Sequence, residues 1–117
     1  MGIVFIKAKV SGPAGEAREC EFLVDSGAVY SQLPQEIWQP LGLVPQSQMD
    51  FTLTDGTQIT RSISECSFEY SGIARHSPVV LGEAGDPALL GMVTLETMGL
   101  VLNPFNRTLQ PMKMMLA

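Results

Sequence analysis

The stretch of this chain best suited to chemistry is Asp25-Ser26-Gly27-Ala28, which follows directly on the apolar run Phe22-Leu23-Val24. An apolar strand delivers the carboxylate to the edge of a core. The Ser26 hydroxyl can donate or accept a hydrogen bond beside it, and Gly27 lets backbone pass close to the carboxylate with no side chain in the way. One carboxylate alone does little to a peptide bond. Two that share a proton divide the work: the ionised one draws a proton from water, and the protonated one donates to the carbonyl oxygen. Proximity enforces that division, because two like charges at close range do not both ionise. Asp-Ser/Thr-Gly occurs once, since Asp55-Gly56 lacks the middle hydroxyl and Asp86-Pro87 lacks the glycine. The second carboxylate must then come from another copy, and a two-fold homodimer supplies it at no extra sequence.

Other chemistries fit less well. The chain has a single histidine, His76, and no G-x-S-x-G elbow, so a Ser/His/Asp site lacks its parts. Cysteine chemistry meets the same shortage of a base, and no Gly-rich phosphate loop occurs. Cys20 and Cys66 lie far apart, with no CxxC and no neighbouring histidine. No metal site and no cofactor is expected, and both thiols are expected to be reduced and buried. Net charge is −5, with seven Lys and Arg scattered along the chain. That balance argues against a nucleic-acid partner or an anionic membrane surface. No apolar run approaches the length of a membrane span. Met1-Gly2 leads at once into strand-like residues without a basic leader, and Ile6 stands where a myristoylation pattern needs Ser or Thr. A cytoplasmic setting is the expectation.

The elements that must position Asp25 read as follows. At 117 residues with 45% apolar content, the chain is expected to form one domain, 1–117, with a single core. Eleven Gly and eight Pro, between short apolar runs, point to many short strands. Ile3 to Val10 reads as a strand, Ser11 to Gly15 as a turn, and Ala17 to Val24 as a second strand of the same hairpin. Cys20, Phe22 and Val24 fall on one face of it. Pro34 to Leu41 reads as one short helix closed by Gly42.

Phe51 to Thr60 reads as another hairpin, and its apolar pattern selects the loop. A two-residue Asp55-Gly56 loop would split the apolar residues between faces. A three-residue loop, Thr54-Asp55-Gly56 with Gly56 left-handed, pairs Leu53 with Thr57 and Phe51 with Ile59 and keeps them together. Ser62 to Tyr70 and Ile73 to Leu81 read as two further strands, and Gly82 to Pro87 as a loop. Ala88 to Gly91 reads as a short strand, Val93 to Met98 as a helix stopped by Gly99, and Val101 to Asn103 as a last strand. The tail Met112 to Ala117 is apolar and Met-rich. Trp38 is expected to pack on its helix and His76 to lie at the surface.

With these residues in place, Val24-Asp25-Ser26-Gly27-Ala28 resembles the catalytic loop of the retropepsin-like aspartic proteases. These are the half-size relatives of pepsin found in retroviruses and as stand-alone domains in cells. Leu89-Leu90-Gly91 resembles the apolar-apolar-Gly segment that crosses under that loop in the family, and it is followed by the family's helix. Pro34 to Leu43 is similar to the short helix of cellular and bacterial members. The likeness runs from Ile3 to about Asn103.

The resemblance implies a mostly β fold: a closed barrel half with one or two short helices, completed as the acid-protease fold by homodimerisation. It implies hydrolysis of a peptide or protein substrate by an Asp25 dyad. Ser26 would hydrogen-bond across the two-fold, Gly27 and Ala28 would complete the loop, and Leu89, Leu90 and Gly91 would support it. Thr54, Asp55 and Gly56 would form the tip of a substrate-covering flap, and the Met-rich tail would add to the dimer contact. Met92 stands where retroviral members carry Arg, and the hairpin tip holds one glycine. A non-catalytic peptide-binding or dimerisation module on the same fold is therefore the alternative.

Overall fold

The computed structural model describes residues 3–113 and 116. Nine strands and two short helices are present among them. β1 (Phe5–Ser11) and β2 (Ala17–Val24) form an antiparallel hairpin in which Ile6 faces Phe22 and Ala8 faces Cys20. β3 (Ser31–Leu33) and α1 (Gln35–Trp38) follow. β4 (Ser47–Thr52) and β5 (Gln58–Tyr70) make the second hairpin, and β6 (Ile73–Leu81) pairs antiparallel along β5. β7 (Leu89–Leu90), α2 (Met92–Met98), β8 (Leu100–Asn103) and β9 (Thr108–Pro111) complete the chain.

Seven strands share one sheet in the order β1-β2-β7-β3-β6-β5-β4, and β1 also pairs with β5 through Lys9 to Ser11. The sheet therefore curls until its first strand meets its sixth. The inward faces are the ones that alternation in sequence selects. Ile6, Ala8 and Val10 from β1 and Cys20, Phe22 and Val24 from β2 are buried, while Lys7 and Lys9 point out. Phe22 and Phe68 are fully buried, with ring centroids 5.7 Å apart. Each such side chain contributes about 1.5–3 kcal/mol through burial. Both cysteines are free and lie in this core.

Several elements depart from the sequence reading. The helix expected over Pro34 to Leu41 is confined to Gln35–Trp38. Pro40 has no N–H to return to Glu36, so the helix ends before it and the chain turns through Gly42. The strand expected from Ser62 starts at Gln58 and runs unbroken for 13 residues, so one strand serves both the hairpin and the sheet. Its partner begins at Ser47 rather than Phe51. β3 and β9 appear where no strand is expected; at three and four residues they are too short to carry a readable period. Met112 is half-buried and its N–H donates to the Gly99 carbonyl at 2.6 Å. The rest of what is expected of the Met-rich tail falls on Met114, Met115 and Ala117, outside the described residues. No helix among the described residues is long and apolar enough to cross a membrane.

Candidate active site

Asp25 lies just past the end of β2, where the strand gives way to a tight turn. The Ala28 N–H donates to the Asp25 carbonyl at 3.1 Å, and the Gly27 N–H donates to Asp25 Oδ1 at 2.9 Å. The side chain thus closes its own turn, as Asp does where it can bond backbone two residues on. Asp25 is half-buried, while Ser26 and Gly27 are exposed. The carboxylate therefore has one oxygen held by the loop and an open side toward solvent.

The loop rests on β7. Leu89 and Leu90 run parallel to Leu23 and Val24, and Leu89 also pairs antiparallel with Gln32. The two-residue strand is thus wedged between the strand that enters the loop and the strand that leaves it. The Asp25 N–H donates to the Leu90 carbonyl at 3.0 Å, which fixes the backbone of the acidic residue directly.

Gly91 then passes against the loop so closely that a Cβ would lie 2.5 Å from the Tyr30 carbonyl carbon. Only glycine fits there. Beyond it, the first amides of α2 have no partner inside their own helix. Met92 N–H donates to the Ala28 carbonyl and Val93 N–H to the Val29 carbonyl, both at 2.9 Å. The loop's carbonyls and the helix's free amides satisfy one another.

Beneath this contact lies a cluster that sequence reasoning missed. Ser31, Ser77 and Thr94 are buried, at 0–2% exposure. Ser31 and Thr94 hydroxyl oxygens lie 2.5 Å apart, and those of Ser77 and Thr94 2.9 Å apart. Ser31 Oγ also accepts the Gly91 N–H at 2.9 Å. Buried hydroxyls are costly unless paired, so the network ties β3, β6 and α2 to one geometry. The visible signal was a small hydroxyl residue beside apolar ones in three short segments. Such residues are too common at strand ends to stand out.

The second hairpin has the loop that its apolar pattern selected. Phe51 pairs with Ile59, and the Leu53 N–H donates to the Thr57 carbonyl at 2.7 Å. Gly56 takes φ of 86°, a left-handed conformation that favours glycine. Asp55 Oδ1 accepts the Thr57 N–H at 2.9 Å. That bond, with the Thr57 hydroxyl adding to it, holds the Asp55 carboxyl below its ordinary value. Thr54, Asp55 and Gly56 are all exposed. The hairpin meets the Asp25 loop lower down, where the Phe51 and Tyr30 rings pack edge to face with centroids 6.2 Å apart.

Leu90 thus holds the Asp25 amide and Gly91 lies against Tyr30 and Ser31 just past the turn, whereas the hairpin tip is exposed to solvent. Trp38 packs against the core, and its indole N–H donates to the Gly82 carbonyl at 2.7 Å. His76 is exposed. Among the described residues, no three of His, Cys, Asp or Glu gather as a metal site would need.

The order of the parts is therefore an apolar strand, an Asp-Ser-Gly turn, a buried Leu-Leu-Gly crossing under it, and a helix whose first amides grip the turn. A family model described as an aspartyl protease matches residues 6–94, a span that holds the strand, the turn, the crossing and the first turn of the helix. No curated protein matches the chain. The chain belongs to the aspartyl protease family, of the retropepsin-like kind.

Proposed function

We propose that this chain is an aspartic endopeptidase that works as a homodimer, with the Asp25 carboxylates of two copies forming one site. The observation that carries the reading is the fixed setting of Asp25. Its N–H is bound to Leu90 and one carboxylate oxygen to Gly27, while its face stays open to solvent. A residue serving only as a turn would not need a buried strand and a helix terminus to hold it.

In the reaction, water adds to the scissile carbonyl carbon. One Asp25 accepts a proton from that water, and its protonated mate gives its own to the carbonyl oxygen. The tetrahedral intermediate then breaks its C–N bond as a proton passes to the leaving nitrogen. Ser26, exposed beside Asp25, would hydrogen-bond to the second copy's loop. The Thr54-Asp55-Gly56 tip would cover an extended substrate.

Two features support the dimer. The chain supplies only one Asp-Ser-Gly. An outward row of apolar side chains also crosses three neighbouring strands beside the loop: Phe5 opposite Leu23, and Leu23 opposite Leu89. Phe5 is 57% exposed and Leu23 and Leu89 half-buried, although all three are apolar. The pairing of β1 with both β2 and β5 supports a sheet closed on itself as a barrel.

The test is cleavage of a mixed peptide library from acid to neutral pH. Wild type, Asp25→Asn and wild type with a transition-state analogue of aspartic proteases run side by side. Cleavage lost in both controls establishes the dyad. Cleavage retained by Asp25→Asn sinks it, and peptide binding without turnover at any pH favours the non-catalytic module.

A further inference from the structure

The hairpin is held at its base by one cation. Arg61 lies on β5, beyond the loop and well inside the strand. Its side chain is only 15% exposed. Nε donates to Asp86 Oδ2 at 3.3 Å, Nη2 lies 3.4 Å from Glu83 Oε1, and Nη1 donates to the Thr60 carbonyl at 3.1 Å. The two carboxylates belong to the 82–87 loop, and Asp86 Oδ2 closes that loop by accepting the Glu83 N–H at 2.7 Å.

The loop itself is tied down elsewhere. Gly82 N–H donates to the Leu33 carbonyl and Gly82 O accepts the Trp38 indole N–H, while Gln32 Nε2 donates to the Pro87 carbonyl at 3.0 Å. Two residues after Pro87 the chain enters β7, whose Leu90 carbonyl holds Asp25. A continuous path of hydrogen bonds and short backbone thus joins the hairpin base to the acidic residue.

The Tyr30–Phe51 ring pair braces the hairpin on the side of the Asp25 loop, and Arg61 braces it on the side of the 82–87 loop. A cavity of about 620 Å³ lies against the bridge, between α1, the hairpin base and the loop, with Gln35, Trp38, Gln48 and Arg61 in its wall. A planar guanidinium can serve two carboxylates and a carbonyl at once, whereas an ammonium offers a point charge on a flexible stem. Glu83 is 73% exposed and its contact is largely screened, so the bond to Asp86, 25% exposed, is the stronger of the two.

We propose that Arg61 is a positioning residue that sets the hairpin's placement over the Asp25 loop by bridging it to the 82–87 loop, with Asp86 as its principal partner. The catalytic consequence rests on the peptidase reading above; the mechanical one does not. Substrate is bound between hairpin and loop, so loss of the bridge weakens its binding and leaves the chemical step alone.

The test compares wild type with Arg61→Gln, Arg61→Lys, Asp86→Asn and the double variant, in backbone hydrogen exchange and in peptide cleavage. Arg61→Gln and Asp86→Asn are each expected to speed exchange over residues 51–59 by roughly fivefold, the scale of one partly buried ion pair. The Asp25 and Ala28 amides should keep their rates. KM should rise by a similar factor with kcat within twofold, the double variant should be no worse than Arg61→Gln, and Arg61→Lys should fall between. Unchanged exchange in the hairpin of Arg61→Gln overturns the proposal, as does a fall in kcat at constant KM. A wild type that cleaves nothing while the exchange pattern holds would refute the peptidase reading and leave the bridge intact.

Discussion

The Asp25 loop and the β4–β5 hairpin are both tight turns at the ends of strands, yet they are held in opposite ways. The loop is gripped from below by Leu90, by the first amides of α2 and by the buried Ser31–Thr94–Ser77 hydroxyls. The hairpin projects with its tip exposed. Beyond its own two strands and the pairing of its base with β6, it is held by the Tyr30–Phe51 ring pair and by Arg61. Few buried contacts and solvent-facing hydrogen bonds make a segment cheap to open locally. The proposed peptidase site, which must hold a carboxylate still while admitting a chain of substrate, would use both kinds of turn. The contrast lies in what lies under each turn rather than in the turns themselves.

Substitutions at the two places should separate sharply. The largest effect is chemical. Asp25→Asn should lower peptide cleavage by roughly a thousandfold or more, in the range of lost acid–base catalysis, with the urea midpoint close to wild type. A variant that also unfolded would mean the carboxylate is part of the loop's support. Next is Gly91→Ala. Its methyl group would press into the Tyr30 backbone and should cost about 3 kcal/mol in urea denaturation, as overpacking against an immovable neighbour does. A loss below about 1 kcal/mol would show the loop to be less tightly seated than its hydrogen bonds indicate.

Thr94→Val keeps the shape and removes the hydroxyl that joins Ser31 to Ser77. It should cost about 1–2 kcal/mol, because two buried hydroxyls lose a partner.

Smaller effects come from protonation. Burial, with the Glu65 charge adding to it, pushes the Cys66 thiol from 9.0 up to about 12. Burial, with Glu21 and Glu36 adding, lifts Cys20 to about 11. Both thiols hold their protons more tightly folded than unfolded. Their contribution to stability is complete below about pH 9 and is lost as pH rises from there through the folded values. The urea midpoint should fall across that range, and a Cys66→Ala variant should show a shallower fall. Alkylation at pH 8 should be slow until denaturant is added.

The hairpin carries the opposite case. The Asp55 carboxyl sits below its ordinary value, so its contribution is present above about 3.8 and lost as pH falls through the lowered folded value. Asp55→Ala should leave the midpoint at neutral pH within error, since the group is fully exposed. A large shift would mean that the tip is packed more firmly than the contrast allows.

The sequence made some of this legible because the relevant physics is local. Alternation from Ala17 to Val24 placed Cys20, Phe22 and Val24 inward, and the strand ended where Asp25 follows it. The loop Thr54-Asp55-Gly56 followed from which register keeps Phe51 with Ile59. The Asp-Ser-Gly and Leu-Leu-Gly segments were visible as motifs. Reading failed where the deciding contact was distant or the signal too short. Ser31 to Leu33 is a strand because it lies between β7 and β6, not because three residues prefer it. The helix at Pro34 is shorter than its apolar spacing predicts because that spacing outlasts the backbone donors, which Pro40 interrupts.

What the sequence determined by itself is therefore the acidic residue proposed to react, its glycine and hydroxyl neighbours, and the alternation that buries one face of each long strand. Those follow from side-chain chemistry and from periods of two, both written in consecutive residues. Only the tertiary structure decided that Leu90 would hold the Asp25 amide, that α2 would offer its free amides to Ala28 and Val29, and that Arg61 would reach Asp86. Each joins segments separated by at least 25 residues, and such pairings are fixed by how the whole sheet curls, a property that no local window contains.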